Sequence, residues 1–189
     1  DWVTISTSSV SITGTSGFRM MSSTVSGTIY SDLLDELWTQ GITGADGWPN
    51  EATANVWTYN YSSQSWDDLT NLGTNSLNAG KGFLMYVFQD TDYSNDSDNN
   101  LPVTLSVSGT VTTGTVTLSG SVSANDYFLA GNPYDSTIDW DLVTQTNVTT
   151  TASVWDPSTS AYKSWNGSTG SLTSGYIEPF QGFWIRASS

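Results

Sequence analysis

Alternating apolar and polar residues run through most of the chain and predict β-strands. In segment 1–14, four apolar residues alternate with small polar ones: Val3, Ile5, Val10 and Ile12. Successive strand side chains point to opposite faces, so this spacing predicts half-buried strands joined by a Ser-rich turn. Segment 101–123 alternates Val and Leu with Ser and Thr and is broken at Gly109 and Gly114. It predicts a β-meander.

Two segments of similar sequence predict a pair of β-hairpins. VWTYNYSSQSW spans 56–66 and VWDPSTSAYKSW spans 154–165, each with turn-forming residues between aromatic ones. Their flanks also match, GFRMMSSTV with DYFLAGNPY before them and KGFLMYV with QGFWIRA after them. We therefore predict an internal duplication in which Val56 matches Val154 and Gly82 matches Gly182.

One segment carries a helical pattern. In SDLLDELW, 31–38, four apolar residues fall on one helical face: Leu33, Leu34, Leu37 and Trp38. Ser31 is placed to cap the helix, and Asp32 lies near its positive end. The pattern predicts a short helix of about two turns, with a shorter counterpart at 136–143.

These elements predict an all-β protein, an antiparallel β-sandwich built from two similar halves with one or two short helices. We expect a single domain over 1–189. Its parts are a first pseudo-repeat at 17–88, a connecting acidic loop and meander at 89–123, and a second pseudo-repeat at 126–187.

Composition excludes several functions. The net charge is -14, with four Lys and Arg against eighteen Asp and Glu, which argues against nucleic acids and anionic membranes as partners. The chain has no Cys and no His, so thiol chemistry, a Ser/His/Asp triad and a His- or Cys-ligated zinc site are not available. No apolar run reaches the roughly 18 residues that span a bilayer, so we expect no membrane insertion. The acidic, Lys-poor composition favours an extracellular or cell-surface location.

The acidic loop QDTDYSNDSDNNLP, 89–102, predicts a metal site. Oxygen-bearing side chains stand at alternate positions: Asp90, Asp92, Ser94, Asp96 and Asp98. This is the ligand spacing of an EF-hand-type calcium loop, although Leu101 stands where that loop has its bidentate Glu. Closely spaced carboxylates repel one another unless a cation lies among them. Calcium is therefore the predicted cofactor, and a solvated acidic loop is the alternative.

The hairpin aromatic residues allow two interpretations. They could form a flat platform that stacks on sugar rings, made of Trp57, Tyr59, Tyr61, Trp66, Trp155, Tyr162 and Trp165. The predicted ligand contacts among them are Tyr61, Trp66, Tyr162 and Trp165. The same ring types also fill protein cores. Because Trp57 and Trp155 each follow an apolar Val, we expect those two to be core residues.

Catalysis finds little support in the sequence. A glycosidase needs two carboxyl groups at a set separation in a cleft. Asp139 and Asp141 are instead placed as first-turn residues of a short helix, and Glu178 precedes Pro179 in a loop. We therefore expect a non-enzymatic protein.

Several motifs together resemble a module of large extracellular proteins of Bacteroidota and their relatives. They are GFRMMSSTVSGTIYSDLLDELWTQG, VWTYN, AGKGFLMYVF, LPVTLSVSG, LAGNPYDSTIDWD, VWDPST and PFQGFWIRAS. Such proteins often carry a type IX secretion sorting domain. The resemblance implies a secreted, non-enzymatic β-module, and it implies O-glycosylation at Ser136 within Asp135-Ser136-Thr137.

Two functional hypotheses follow. The first is a structural or adhesive surface protein that associates with itself or with neighbouring domains of the same type, forming an extracellular filament. Assembly would use the N-terminal strand residues, added to the sheet edge of a neighbour: Val3, Ile5, Val10 and Ile12. The alternative is a carbohydrate-binding module that binds glycans through the hairpin aromatic residues.

Overall fold

Short antiparallel strands make up most of the regular structure. A computed structural model describes residues 6–47, 50–92, 98–118 and 122–188. The strands within these ranges are β1 (Ser6–Ile12), β2 (Gly17–Met21), β3 (Thr28–Ile29), β4 (Val56–Asn60), β5 (Ser65–Asp68), β6 (Ser76–Leu77), β7 (Phe83–Val87), β8 (Val103–Gly109), β9 (Tyr127–Gly131), β10 (Ile138–Asp139), β11 (Ala152–Asp156), β12 (Ala161–Trp165), β13 (Tyr176–Ile177) and β14 (Gly182–Arg186). Helical segments are α1 (Tyr30–Leu33) and the 3-10 turns Trp140–Leu142 and Thr173–Gly175.

Two four-stranded antiparallel sheets form the centre of the fold. Their strand orders are β2-β7-β4-β5 and β9-β14-β11-β12, so the strands of each half take the same places in their sheet. Smaller two-stranded sheets pair β1 with β8, β3 with β6 and β10 with β13. The predicted all-β, antiparallel, sandwich-like class is confirmed. An internal duplication would produce this shared strand order, and it stays a prediction.

Both predicted hairpins form, and a side-chain oxygen shapes each turn. Asn60 Oδ1 accepts hydrogen bonds from the Ser62 and Ser63 backbone N–H groups at 3.1 and 3.3 Å. In the second hairpin, Asp156 Oδ1 accepts from the Ser158 backbone N–H at 2.9 Å. Asn and Asp favour turns because they bond the backbone two residues further on.

The strand register corrects our alignment of the two halves. Thr58 lies opposite Phe83, and Val154 lies opposite the matching Phe183. Val154 therefore corresponds to Thr58, and matching it to Val56 was wrong by two residues. A shift of two residues keeps every side chain on its face of the sheet, so the alternating pattern could not reveal the error.

Each large sheet buries one face in its own hydrophobic core. The first core contains side chains of β4, β7, β8 and α1, among them Val56, Phe83, Met85, Leu105 and Leu33. The second contains Phe128 of β9, Val154 of β11 and Phe183 of β14. It also contains Trp140 of the first 3-10 turn and Ile177 of β13. In the first half, the β1–β8 pair covers the large sheet. Alternate apolar residues of β1 and β8 are therefore buried between the two sheets.

The hairpin tryptophans lie on the opposite faces. Val56 and Val154 point into the cores, so the next residues, Trp57 and Trp155, point away from them. Both tryptophans are half-buried. The prediction that they are core residues was wrong, because their positions in the alternation send them outward.

Close backbone contacts join the two halves. The Gly82 N–H donates to the Leu129 carbonyl at 3.2 Å, and the Gly131 N–H donates to the Gly80 carbonyl at 3.0 Å. A Cβ at position 82 would lie 2.5 Å from the carbonyl oxygen of Ala130. Glycine at this position lets the first residues of β7 approach β9.

Two elements differ from the sequence prediction. The helix is a single turn, α1, that lies within Tyr30–Leu33, and Ser31 lies inside it rather than capping it. Leu34 and Leu37 are nevertheless buried, because a turn follows the helix and packing rather than helix propensity decides such short segments. In the predicted meander, β8 forms, but 110–118 contains no strand and makes a single bridge between Val111 and Val25.

Candidate ligand-binding groove

Aromatic side chains from both large sheets line one surface groove of about 440 Å³. The residues that line it are Tyr59, Gln64, Trp66, Tyr127, Ser153, Tyr162 and Trp184. Three of the rings are substantially exposed, Trp66 at 36%, Tyr127 at 48% and Tyr162 at 50%. The volume lies within the usual range for small-ligand sites, roughly 300–1,000 Å³.

Trp184 is the central ring of the groove. Its ring centroid lies 4.6 Å from that of Tyr59, 5.7 Å from that of Trp66 and 6.0 Å from that of Tyr127. Tyr59 and Trp66 lie opposite each other on β4 and β5, with their centroids 5.2 Å apart. All four contacts are edge-to-face, the geometry that aromatic rings favour. The rings are therefore held in place without a ligand.

Gln64 connects the β4–β5 loop to β9. Its side-chain nitrogen donates to the carbonyls of Tyr61 at 2.8 Å and Tyr127 at 3.1 Å. Its oxygen accepts from the Tyr127 N–H at 2.7 Å and from the Tyr59 hydroxyl at 3.2 Å. Since the amide is engaged on both ends, Gln64 positions the aromatic residues and is not a free group for a ligand.

Tyr162 closes the groove on the side of the second hairpin. Its hydroxyl oxygen accepts a hydrogen bond from the Trp184 indole N–H at 3.2 Å, and its ring packs edge-to-face on Trp155 at 5.1 Å. A hydroxyl that accepts one hydrogen bond still has a proton to donate. Tyr162 can therefore combine a stacking surface with a hydrogen-bond donor.

The side chains that line the groove are uncharged, and one cation lies beside it, the Arg186 guanidinium, 5.9 Å from the centroid of the Tyr127 ring. Burial, with the neighbouring Asp126 and Tyr127, raises the pKa of the Tyr59 phenol, so that this group stays neutral at ordinary pH. Such a lining offers apolar faces and neutral hydrogen-bonding groups, which suits an uncharged ligand.

The structure brings together two of the four aromatic residues predicted to bind glycans. Trp66 and Tyr162 line the groove. Tyr61 instead stacks on Phe128 at 4.5 Å, and its hydroxyl donates to the Leu129 carbonyl at 3.1 Å. Trp165 packs against the second core, and its indole N–H donates to Asp141 at 2.8 Å.

Sequence reasoning included Tyr59 among the platform candidates but missed two aromatic residues of the groove, Tyr127 and Trp184. Tyr127 and Trp184 are outward-pointing positions of β9 and β14, next to the core residues Phe128 and Phe183. The alternation within these strands could have shown that they face away from the core. It could not have shown that the two faces meet at one groove.

The acidic loop gathers part of the predicted metal site. Carboxylate oxygens of Asp90, Asp92 and Asp98 lie within 4.8 Å of one another. Asp90 Oδ1 is buried and makes no hydrogen bond among the described residues. The base of the loop is closed by the Asn100 N–H, which donates to the Gln89 carbonyl at 3.0 Å. These three carboxylates could hold a metal ion. The other predicted ligands, Ser94 and Asp96, lie outside the described residues.

The predicted assembly strand is paired within the chain where it is described. All of β1 pairs with β8, from Ser6 opposite Gly109 to Ile12 opposite Val103. Ile12 belongs to the first core, and Val10 packs against it. Val3 and Ile5 lie outside the described residues.

The remaining predicted positions lie at the surface of the second half. Ser136 is exposed. Asp139 accepts a hydrogen bond from the Asp141 N–H at 3.0 Å and is the N-cap of the 3-10 turn, whereas Asp141 lies in the first turn, where both residues were predicted. Glu178 accepts a hydrogen bond from the Thr137 hydroxyl at 2.8 Å.

No protein-family model, curated protein or solved structure matches the chain. Within the described ranges, no helix has both the length and the apolar character of a membrane span.

Proposed function

We propose that the protein is a non-enzymatic glycan-binding β-domain and that the aromatic groove is its binding site. The observation that carries this proposal is the convergence of three exposed rings, Trp66, Tyr127 and Tyr162, on one groove lined by uncharged side chains. Burying a large apolar side chain lowers the free energy of the protein. Rings that stay exposed and lie close together therefore favour a ligand-binding role over a packing role.

Sugars match the chemistry of this groove. A pyranose ring has an apolar C–H face that stacks on an aromatic ring and hydroxyl groups that need hydrogen-bond partners. The groove offers the exposed ring of Trp66 for stacking and the hydroxyl of Tyr162 for hydrogen bonding. A net charge of -14 disfavours anionic polysaccharides, so we propose neutral glycans as the ligand class.

Calorimetric titration with cellulose-, xylan-, mannan- and chitin-derived oligosaccharides tests the proposal. We expect at least one series to bind, and we expect Trp66→Ala and Tyr162→Ala to weaken that binding by tenfold or more, on the order of 1.4 kcal/mol each. Tyr176→Ala is the matched control, because Tyr176 is 48% exposed but lies outside the groove. Unchanged affinity in both groove variants would exclude the groove as the site.

A second proposal concerns the acidic loop, where we propose calcium as the bound ion. Three carboxylates within 4.8 Å repel one another, and a hard divalent cation with oxygen ligands offsets that repulsion. The buried, unpartnered Asp90 Oδ1 supports a ligand role. At a calcium concentration about 100 times the Kd, binding would stabilise the fold by about 2.7 kcal/mol, so chelation should lower the Tm. The same Tm with chelator and with excess calcium would remove the site.

The filament hypothesis stays a prediction, as do the extracellular location and the resemblance to surface modules. In the described residues, β1 already pairs with β8, so joining a neighbour would require β1 to leave β8 or to pair through its other edge. Deleting 1–14 should abolish assembly if that strand crosses between subunits. Electron microscopy of the native material would show whether filaments exist.

A further inference from the structure

A second group of aromatic rings lies on the same face of the first large sheet. Phe18, on the edge strand β2, contacts Tyr86 of β7 at 5.2 Å and Trp57 of β4 at 6.0 Å between ring centroids. Tyr86 in turn contacts Phe88 at 5.1 Å. These four rings form what we call the Phe18 patch.

The Phe18 patch is accessible. Phe18 is 43% exposed, and the other three rings are half-buried. All four point away from the first core, because they alternate with the core side chains Met21, Val56, Met85 and Val87. One exposed ring that adjoins three half-buried rings makes this face of the sheet a candidate binding surface.

The patch is continuous with the groove. Trp57 belongs to the patch and Tyr59 to the groove, and both are outward-pointing residues of β4 separated by one position. Two such positions lie about 7 Å apart along a strand. Stacking surfaces therefore run from Trp66 and Tyr59 through Trp57 to Phe18.

We infer that the Phe18 patch is a second subsite for the same ligand and that the protein binds neutral polysaccharide chains rather than short oligosaccharides. This inference rests on the proposed glycan-binding function of the groove. A polymer has repeated sugar faces that can occupy both sets of rings at once. Asp68, exposed and opposite Trp57 on the same sheet face, places a negative charge beside the path. That charge disfavours a polyanion and agrees with a neutral chain.

A length series separates the two sites. The oligosaccharide series that binds the groove is titrated from disaccharide to hexasaccharide against the unmodified protein. The disaccharide reports on the groove, and the gain with length reports on the patch. Because a second contact on the same chain acts at high effective concentration, we expect affinity to rise by at least about tenfold along the series.

Two substitutions at the patch test its role. Phe18→Ala should remove most of the gain with chain length, and Phe18→Tyr should keep it, because the ring is retained. Trp66→Ala should instead weaken binding at every length, and Tyr176→Ala should change neither quantity. Circular dichroism and the Tm confirm that each variant folds.

The outcomes distinguish this inference from the proposal on which it rests. Short oligosaccharides that bind with no gain on lengthening, or a gain that persists in Phe18→Ala, would overturn the second subsite and leave the groove intact. If no member of any series bound, both would fail together. A dimer in sedimentation that Phe18→Ala dissociates would also overturn the subsite, because the patch would then be a self-association surface.

Discussion

Replacing Gln64 by Ala removes the side chain that ties the first hairpin to strand β9. The amide makes four hydrogen bonds, two to the Tyr127 backbone, one to the Tyr61 carbonyl and one to the Tyr59 hydroxyl. Gln64 has a φ of 52°, a left-handed conformation that costs Ala about as much as Gln. Backbone strain therefore contributes little to the difference between the two proteins.

The free energy of unfolding should fall by about 2 to 3 kcal/mol. The bonds to Tyr61 and Tyr59 are half-buried, and each should contribute about 1 kcal/mol. The two bonds to the Tyr127 backbone are solvent-exposed, so water can replace them and they contribute less. With a urea m-value of roughly 2 kcal/mol/M, the midpoint should fall by about 1 to 1.5 M.

Urea unfolding followed by tryptophan fluorescence measures this change, since the chain has nine Trp. Ser62→Ala is the matched control, because Ser62 is an exposed residue of the same loop. We also expect Gln64→Ala to weaken glycan binding, because Tyr59 and Tyr127 lose the group that fixes their spacing. A loss of stability below about 0.5 kcal/mol would refute the assigned role, because such a value is typical of an ordinary surface substitution.

Two further predictions concern the junction between the halves. Burial, with the neighbouring Tyr59, raises the pKa of Tyr61 in the folded protein to about 12. In the unfolded chain the pKa of this phenol is near 10.0, so on raising the pH Tyr61 loses its proton in the unfolded state first. The contribution of Tyr61 to the free energy of unfolding should therefore be full below about pH 10 and be lost as the pH rises towards 12. Tyr61→Phe should make the fall in the free energy of unfolding over this range shallower. An equally steep fall in the variant would contradict the assignment. Gly82→Ala should cost about 1 to 3 kcal/mol, because its Cβ would meet the Ala130 carbonyl oxygen, whereas Gly73→Ala, with no neighbour nearer than 3.7 Å, should fold normally. Equal Tm values for the two Ala variants would contradict the close approach.

Local signals predicted the hairpins and part of the metal site. β4–β5 and β11–β12 form where aromatic and polar residues alternate around Asn60 and Asp156, because strand alternation and turn chemistry act within a few residues. The spacing of Asp90, Asp92 and Asp98 likewise placed them on one loop, and the structure brings their carboxylate oxygens within 4.8 Å of one another. In each case, residues close in sequence supply the contacts.

Which residues line the groove could not be predicted in the same way. Tyr59 meets Trp184 only because two sheets from distant parts of the chain pack together. Tyr127 and Trp184 follow ordinary strand patterns, and nothing in their own segments distinguishes a ring that lines a groove from one that faces solvent. Tyr61 shows the converse, because a loop aromatic that suggested a ligand contact packs on Phe128 at the junction of the halves.

The two hairpins carry the same cross-strand aromatic pair, and this bears on why the rings are exposed. Tyr59 lies opposite Trp66, and Trp155 lies opposite Tyr162, with centroids 5.2 and 5.1 Å apart and interplanar angles of 71° and 72°. If each pair served only its own hairpin, Trp66→Ala and Tyr162→Ala would each cost about 0.2 to 1 kcal/mol of stability and leave glycan binding unchanged. Three of these four rings line the same groove. We therefore expect each variant to lose more free energy of glycan binding than free energy of unfolding. A larger loss of unfolding free energy than of binding free energy would assign the pairs to hairpin stability alone.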